Sequence, residues 1–86
     1  MLAKHVFNQI EEPITEVLVQ IKYSPTTKSY LTEVEVLSEG VTVFLDYVSI
    51  GRDDRLEVKF ADKFVKQFSE LAPKAVITYD PLHFLL

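Results

Sequence analysis

The sequence has no cysteine and no tryptophan, and its 86 residues include only two glycines and four prolines. Without cysteine, the chain has no disulfide framework, no thiolate zinc site and no thiol nucleophile. Two glycines cannot build a glycine-rich phosphate-binding loop, and so little glycine and proline excludes a collagen-like chain. The sequence also lacks the apolar core of a signal peptide and any run of roughly 20 apolar residues that could span a membrane. We therefore expect a cytoplasmic protein without a membrane segment.

What the sequence does contain is enough apolar material for a core. Hydrophobic residues make up 48% of the chain and charged residues 26%, which excludes a disordered protein. The length predicts one small domain over residues 1–86. The formal net charge is −4, which disfavours nucleic acid as a partner because a nucleic-acid-binding surface needs a basic face.

The spacing of apolar residues predicts an α+β fold. A period near 3.6 predicts an N-terminal helix over about residues 2–10. A period of two then predicts a four-stranded antiparallel β-meander, with strands near residues 15–23, 30–37, 41–47 and 56–60. Three strand pairings place the apolar residues of the meander on one face. These pairings set Tyr23 opposite Tyr30, Val36 opposite Val43 across a two-residue turn at Glu39 and Gly40, and Tyr47 opposite Leu56.

The chain after the meander predicts a second helix and a fifth strand. Asp62 is a good N-cap for a helix that ends near Leu71 and packs on the same face of the sheet as the first helix. Residues 75–79 predict a fifth strand or an extended C-terminal tail.

An alternative for the middle of the chain is a single helix over residues 54–71. Leu56, Phe60 and Phe64 are four residues apart, and Asp54 with Glu57 forms a capping box. That order of elements, a helix, three strands and a helix, is found in double-stranded-RNA-binding domains. The lysine cluster of those domains is missing here, so the order alone does not make this sequence resemble that family. We prefer a strand followed by a helix, because a strand over residues 56–60 completes the sheet.

No group of residues has the spacing of a catalytic or metal site. His5 and His83 are the only histidines, one lies near each end of the chain, and neither has a nearby ligand or nucleophile in the sequence. We therefore predict no catalytic residue, no cofactor and no metal, and we do not expect an enzyme.

The predicted registers place apolar residues and a row of carboxylates on the sheet face away from the helices. An apolar patch of this kind is typical of an interface, although the apolar tail over residues 82–86 could cover it instead. Lysine and arginine residues on neighbouring rows could also neutralise the carboxylates. We predict a small interaction protein, a homodimer or a binder or inhibitor of another protein, and the alternative is a nucleic-acid-binding module on a small antiparallel sheet. The predicted partner-binding residues are Leu18, Leu31, Phe44, Val48, Glu33, Asp46 and Glu57.

Overall fold

The computed structural model describes residues 2–81, in which one helix and three strands precede a long helix and a last strand. The elements are α1 (Leu2–Asn8), β1 (Glu16–Ser24), β2 (Ser29–Ser38), β3 (Val41–Gly51), α2 (Asp54–Leu71) and β4 (Val76–Asp80). The predicted α+β class, the N-terminal helix and the C-terminal strand are confirmed.

The four strands form a mixed sheet in the order β3-β2-β1-β4. The predicted antiparallel meander is wrong, because β4 lies beside β1 and runs parallel to it, with Ile77 opposite Val17. Helix α2 carries the chain from one edge of the sheet to the other. A crossover of this length is what allows the last strand to run parallel to its neighbour.

The first hairpin has the predicted register. Tyr23 lies opposite Tyr30, and the pairing continues without a break to Val17 opposite Val36. Alternate residues of both strands are buried, so a shift of the pairing by one residue would expose the apolar side chains to water.

The second hairpin begins with the predicted two-residue turn. Ser38 pairs with Val41, and the two residues between them, Glu39 and Gly40, have positive φ angles of 50° and 84°. Positive φ at both positions is typical of the turn that matches the twist of a hairpin, and glycine adopts it without strain. The Glu39 N–H donates to the Thr15 hydroxyl over 2.9 Å, which ties the turn to the start of β1.

Two bulges change the register of β3. The pairing skips Val43 and Val48, so that Val36 faces Phe44 and Thr32 faces Ser49. The predicted pairing of Val36 with Val43 is wrong for this reason, since each bulge adds one unpaired residue to β3.

Helix α2 begins nine residues earlier than predicted, because its N-cap is Asp53 and not Asp62. The predicted strand over residues 56–60 is wrong, and the alternative of a single helix over 54–71 is confirmed. Asp53 is the N-cap, and its carboxylate accepts the Arg55 and Leu56 N–H groups over 2.8 and 3.3 Å. The helix therefore has a strong start signal at a position where the strand interpretation placed a turn.

Both helices pack on one face of the sheet, which we call the helix side. The core is lined by apolar residues from both helices and from β1 and β2, and the predicted fifth strand adds Ile77 and Tyr79 at its border. Phe7 of α1 meets Phe68 of α2 edge to face at 6.1 Å between ring centres, which holds the short first helix in place. The fully buried core residues are Ala3, Val6, Val17, Val19, Ile21, Val34, Val36, Ala61, Phe64 and Phe68.

Candidate interaction surface

The opposite side of the sheet, which we call the outer face, has no helix packed on it among residues 2–81. Successive residues of a strand point to opposite sides, so the strand register fixes which side chains lie here. The outer face consists of Glu16, Leu18, Gln20 and Lys22 of β1, Leu31, Glu33, Glu35 and Leu37 of β2, Thr42, Leu45, Tyr47 and Ile50 of β3, and Val76, Thr78 and Asp80 of β4.

Large apolar side chains on the outer face are exposed to water. Leu45 is 57% exposed, Tyr47 47%, Ile50 68% and Val76 65%. Leu18, which lies between β2 and β4, is half-buried. The apolar residues are thus most exposed at the two edges of the sheet, and the carboxylates of β2 lie between them.

Two glutamates at the centre of the outer face differ in their partners. Glu33 forms a salt bridge with Lys22 over 3.0 Å. Glu35, which lies opposite Leu18 on one side and Leu45 on the other, accepts a 2.6 Å hydrogen bond from the Thr42 hydroxyl. Within residues 2–81 no lysine or arginine forms a salt bridge with Glu35.

Three of the predicted partner-binding residues lie on the outer face. Leu18, Leu31 and Glu33 have the predicted positions, because they belong to the hairpin whose register is confirmed. Their role in binding stays a prediction.

Three predicted residues of β3 lie elsewhere. Phe44 pairs with buried Val36, and Val48 is the unpaired residue of a bulge; both pack against the core on the helix side. Asp46 lies opposite buried Val34 and is exposed at the sheet edge. The bulges explain all three errors, since they shift the alternation of β3 by one residue.

The predicted position of Glu57 on the outer face is wrong, and this is the largest correction. Glu57 lies on α2 rather than on a strand, and it is only 3% exposed. Its two carboxylate oxygens accept hydrogen bonds from the Thr32 and Ser49 hydroxyls over 2.6 and 2.7 Å. A side chain at Gly51 would place Cβ 2.7 Å from the carboxylate, so glycine leaves the room that Glu57 occupies. Glu57 thus joins α2 to β2 and β3 and is closed to a partner.

Sequence reasoning missed four apolar residues of the outer face. Leu45 and Tyr47 were missed because of the β3 bulges, Ile50 because the predicted strand ended before it, and Val76 because β4 was not paired with β1. The consecutive apolar residues over 43–45 break the alternation of a regular strand, and this was the available signal of a bulge.

The free edge of β3 carries features that discourage pairing with another strand. The Tyr47 N–H donates to its neighbour Asp46 over 2.8 Å, which occupies a backbone donor of the strand. Bulges at Val43 and Val48 interrupt the regular backbone on either side. Natural sheets use both charged residues and bulges to protect an edge, so these features of β3 disfavour the addition of a strand there.

The tyrosines do not form an open row of rings. Tyr23 and Tyr30 contact each other at 4.9 Å between ring centres, and the Tyr79 hydroxyl donates to Asp62 over 2.7 Å. Burial, then this hydrogen bond, then the negative charge of Asp62 raise the pKa of Tyr79 well above its usual range. Only Tyr47 presents its ring on the outer face.

The described residues offer no well-built site for a small ligand in the cleft beside the helix ends or around a histidine. This cleft, with a volume of about 490 Å³, lies between the C-terminal ends of the two helices, and its charged residues Glu11, Glu12 and Lys74 are all exposed. In the described part of the chain, no three side chains of histidine, aspartate or glutamate are grouped as metal ligands. His5 is exposed on α1, and His83 lies outside the described residues, as does the tail over 82–86.

No protein-family model matches the chain, and neither a curated protein nor a solved structure is significantly similar to it. Among residues 2–81, no helix combines the length and the apolar character needed to cross a membrane.

Proposed function

We propose that this chain is a non-enzymatic interaction module that binds another protein through its outer face. The observation that carries the proposal is that both helices described in residues 2–81 pack on the helix side. Leu45, Tyr47 and Ile50 of the outer face are consequently left in water. A grouped set of exposed apolar side chains on a small protein usually marks an interface.

A partner on this face would complete a third layer. Burial of apolar surface contributes about 25 cal/mol for each Å² removed from water. Sheets with layers on both faces are common in proteins, whereas within residues 2–81 this sheet has a layer only on its helix side. The partner would therefore gain the kind of contact that α1 and α2 make on the other side.

Nucleic acid is the second candidate, and it has weaker support. Single strands bind where bases stack on exposed rings within a basic groove. The outer face has one exposed ring, that of Tyr47, and four carboxylates against the single lysine Lys22. Retardation of a labelled oligonucleotide at low salt would support this candidate, and an unchanged mobility would end it.

The interaction is tested by selecting peptides from a phage-displayed random library on the immobilised full-length chain. Dissociation constants of the enriched peptides are then measured with the wild type and with Leu45→Gln and Ile50→Gln. We expect each variant to weaken binding by about tenfold or more, because a buried apolar contact is lost. The substitutions are neutral, so they change apolar area without changing the charge of the face.

Leu56→Gln is the matched control. Leu56 is 63% exposed against 57% for Leu45, but it lies on α2 and not on the sheet. This variant should bind the peptides as the wild type does, and circular dichroism should show all three variants folded. Equal weakening by Leu56→Gln, or wild-type binding by both outer-face variants, would contradict the proposed function.

A further inference from the structure

We infer that the partner of the outer face is a protein segment with an arginine or lysine between large apolar side chains, and that this basic group binds Glu35. This inference rests on the proposed function and adds the chemistry of the partner. Glu35 stands at the middle of the face, on β2, with Leu18 opposite it on β1 and Leu45 opposite it on β3.

The bonding of Glu35 leaves a place for a cation. Its Oε2 accepts the Thr42 hydroxyl over 2.6 Å, and within residues 2–81 Glu35 has no other hydrogen bond to a side chain. Glu33 two residues earlier is already bound by Lys22 over 3.0 Å. A guanidinium or ammonium group of the partner would thus form a salt bridge with Glu35, as Lys22 does with Glu33.

The surroundings of Glu35 favour a contact that excludes water. A charged hydrogen bond is stronger when apolar groups around it keep water away, and it is costly when one partner stays unpaired. Leu18 and Leu45 would close around a bound cation, while the aliphatic part of an arginine or lysine would lie against them. The same geometry would penalise a partner with a neutral or acidic group at this position.

The charge of the outer face separates the competing occupants. Four carboxylates, those of Glu16, Glu33, Glu35 and Asp80, stand against the single lysine Lys22. A second copy packed face to face would bring these carboxylates together, and a phosphate backbone would meet the same repulsion. A basic segment of another protein is the occupant with the complementary charge.

The bulged edge of β3 directs the partner to the face. The occupied N–H of Tyr47 and the bulges at Val43 and Val48 hinder the addition of a strand to this edge. At this edge of the sheet, a partner would therefore bind through side-chain contacts on the outer face, which can select for a basic group.

The test uses the peptides enriched from the random library on the full-length chain. We expect enriched sequences to combine arginine or lysine with large apolar residues, and Glu35→Gln to weaken their binding at least tenfold. Replacing the basic residue of the peptide by glutamine should cause a similar loss with the wild type. The two changes together should cost little more than either one, because they remove the same contact.

The control Glu70→Gln removes one negative charge from an exposed position on α2. It should bind as the wild type, so a loss that is the same for both glutamine variants would overturn the inference as a general effect of net charge. Enrichment of neutral or acidic peptides, or unchanged binding to Glu35→Gln, would overturn it as well. If Leu45→Gln weakens binding while Glu35→Gln does not, the inference fails and the proposed function remains.

Light scattering over a dilution series tests the second copy as the occupant. A mass of 9.9 kDa at all concentrations agrees with a partner of different sequence. A dimer that Leu45→Gln dissociates and Leu56→Gln leaves intact would overturn the basic partner and make the outer face a self-interface.

Discussion

The two sides of the sheet each hold a glutamate that accepts a 2.6 Å hydrogen bond from a threonine hydroxyl, Glu57 from Thr32 and Glu35 from Thr42. On the helix side, Glu57 has a second hydroxyl, that of Ser49, on its other oxygen. On the outer face, Glu35 has no such second donor among the side chains of residues 2–81. The hydrogen bond alone therefore does not distinguish a structural carboxylate from one that can bind a partner.

The difference between the two glutamates lies in what surrounds them. Glu57 is 3% exposed, each of its carboxylate oxygens accepts a hydroxyl, and a Cβ at Gly51 would come within 2.7 Å of it. Glu35 lies between leucines on a face that no described helix covers. Glu57 thus helps to hold α2 on the sheet, whereas Glu35 is the carboxylate for which we propose a partner.

The largest difference between the two sides is expected from apolar truncation. Phe68→Ala should lower the free energy of unfolding by about 3–5 kcal/mol, since Phe68 is fully buried and its removal leaves a cavity. Leu45→Ala should change it by no more than about 0.5 kcal/mol. Urea titration followed by circular dichroism measures both, and a comparable cost for the two variants would show that the outer face is covered in the intact chain.

The next largest effect is expected at the buried carboxylate. Glu57→Ala leaves the Thr32 hydroxyl in the interior without its partner, and the cost should be about 1–3 kcal/mol. Glu35→Ala should change the stability by no more than about 0.5 kcal/mol. The same urea titration compares the two.

A rescue experiment separates the lost hydrogen bonds from lost packing. The triple variant Thr32→Val, Ser49→Ala, Glu57→Leu removes the polar groups together, and replacing all partners by apolar groups of similar shape can be nearly neutral. It should recover most of the stability that Glu57→Ala loses. A triple variant less stable than Glu57→Ala would contradict this expectation. It would show that the hydrogen-bonded carboxylate stabilises the fold by more than the cost of leaving the two hydroxyls without a partner.

The smallest effect is expected at the rim of the helix side, where the Tyr79 hydroxyl donates a hydrogen bond to the carboxylate of Asp62. The raised pKa of Tyr79 favours its neutral form in the folded state. Its contribution to stability is fully present below the unfolded pKa of about 10 and is lost as the pH rises above that value. Stability should therefore fall above about pH 10 more steeply in the wild type than in Tyr79→Phe.

The pKa of Tyr79 can be measured directly by near-ultraviolet absorbance. Subtracting the titration of Tyr79→Phe from that of the wild type isolates one hydroxyl. A midpoint above about 10 is expected, and a midpoint at or below about 10 would show that the contact with Asp62 does not hold in solution.

Local patterns in the sequence were enough for half of the sheet. The alternation of β1 and β2 and the turn at Glu39 and Gly40 predict the observed pairing, because strand alternation and turn preferences depend on residues close in the chain. For the same reason, Leu18, Leu31 and Glu33 were placed on the correct face.

Local patterns failed where one segment fits two periods. Residues 56–60 alternate as a strand does, and the phenylalanines at 60, 64 and 68 also have helical spacing. The helix prevails because the Asp53 cap starts it and because its stripe of Ala61, Phe64 and Phe68 is buried against the sheet. Only the packed structure makes that burial possible.

The sequence by itself therefore determined the α+β class and the first hairpin, with the face on which each of its residues lies. The tertiary structure decided the bulges of β3, the parallel pairing of β4, and the separation of Glu57 from Glu35. Periodicity acts between neighbouring residues, whereas these features depend on contacts between segments far apart in the chain. The burial of Glu57 and the position of Glu35 on the uncovered face follow from how α2 crosses the sheet.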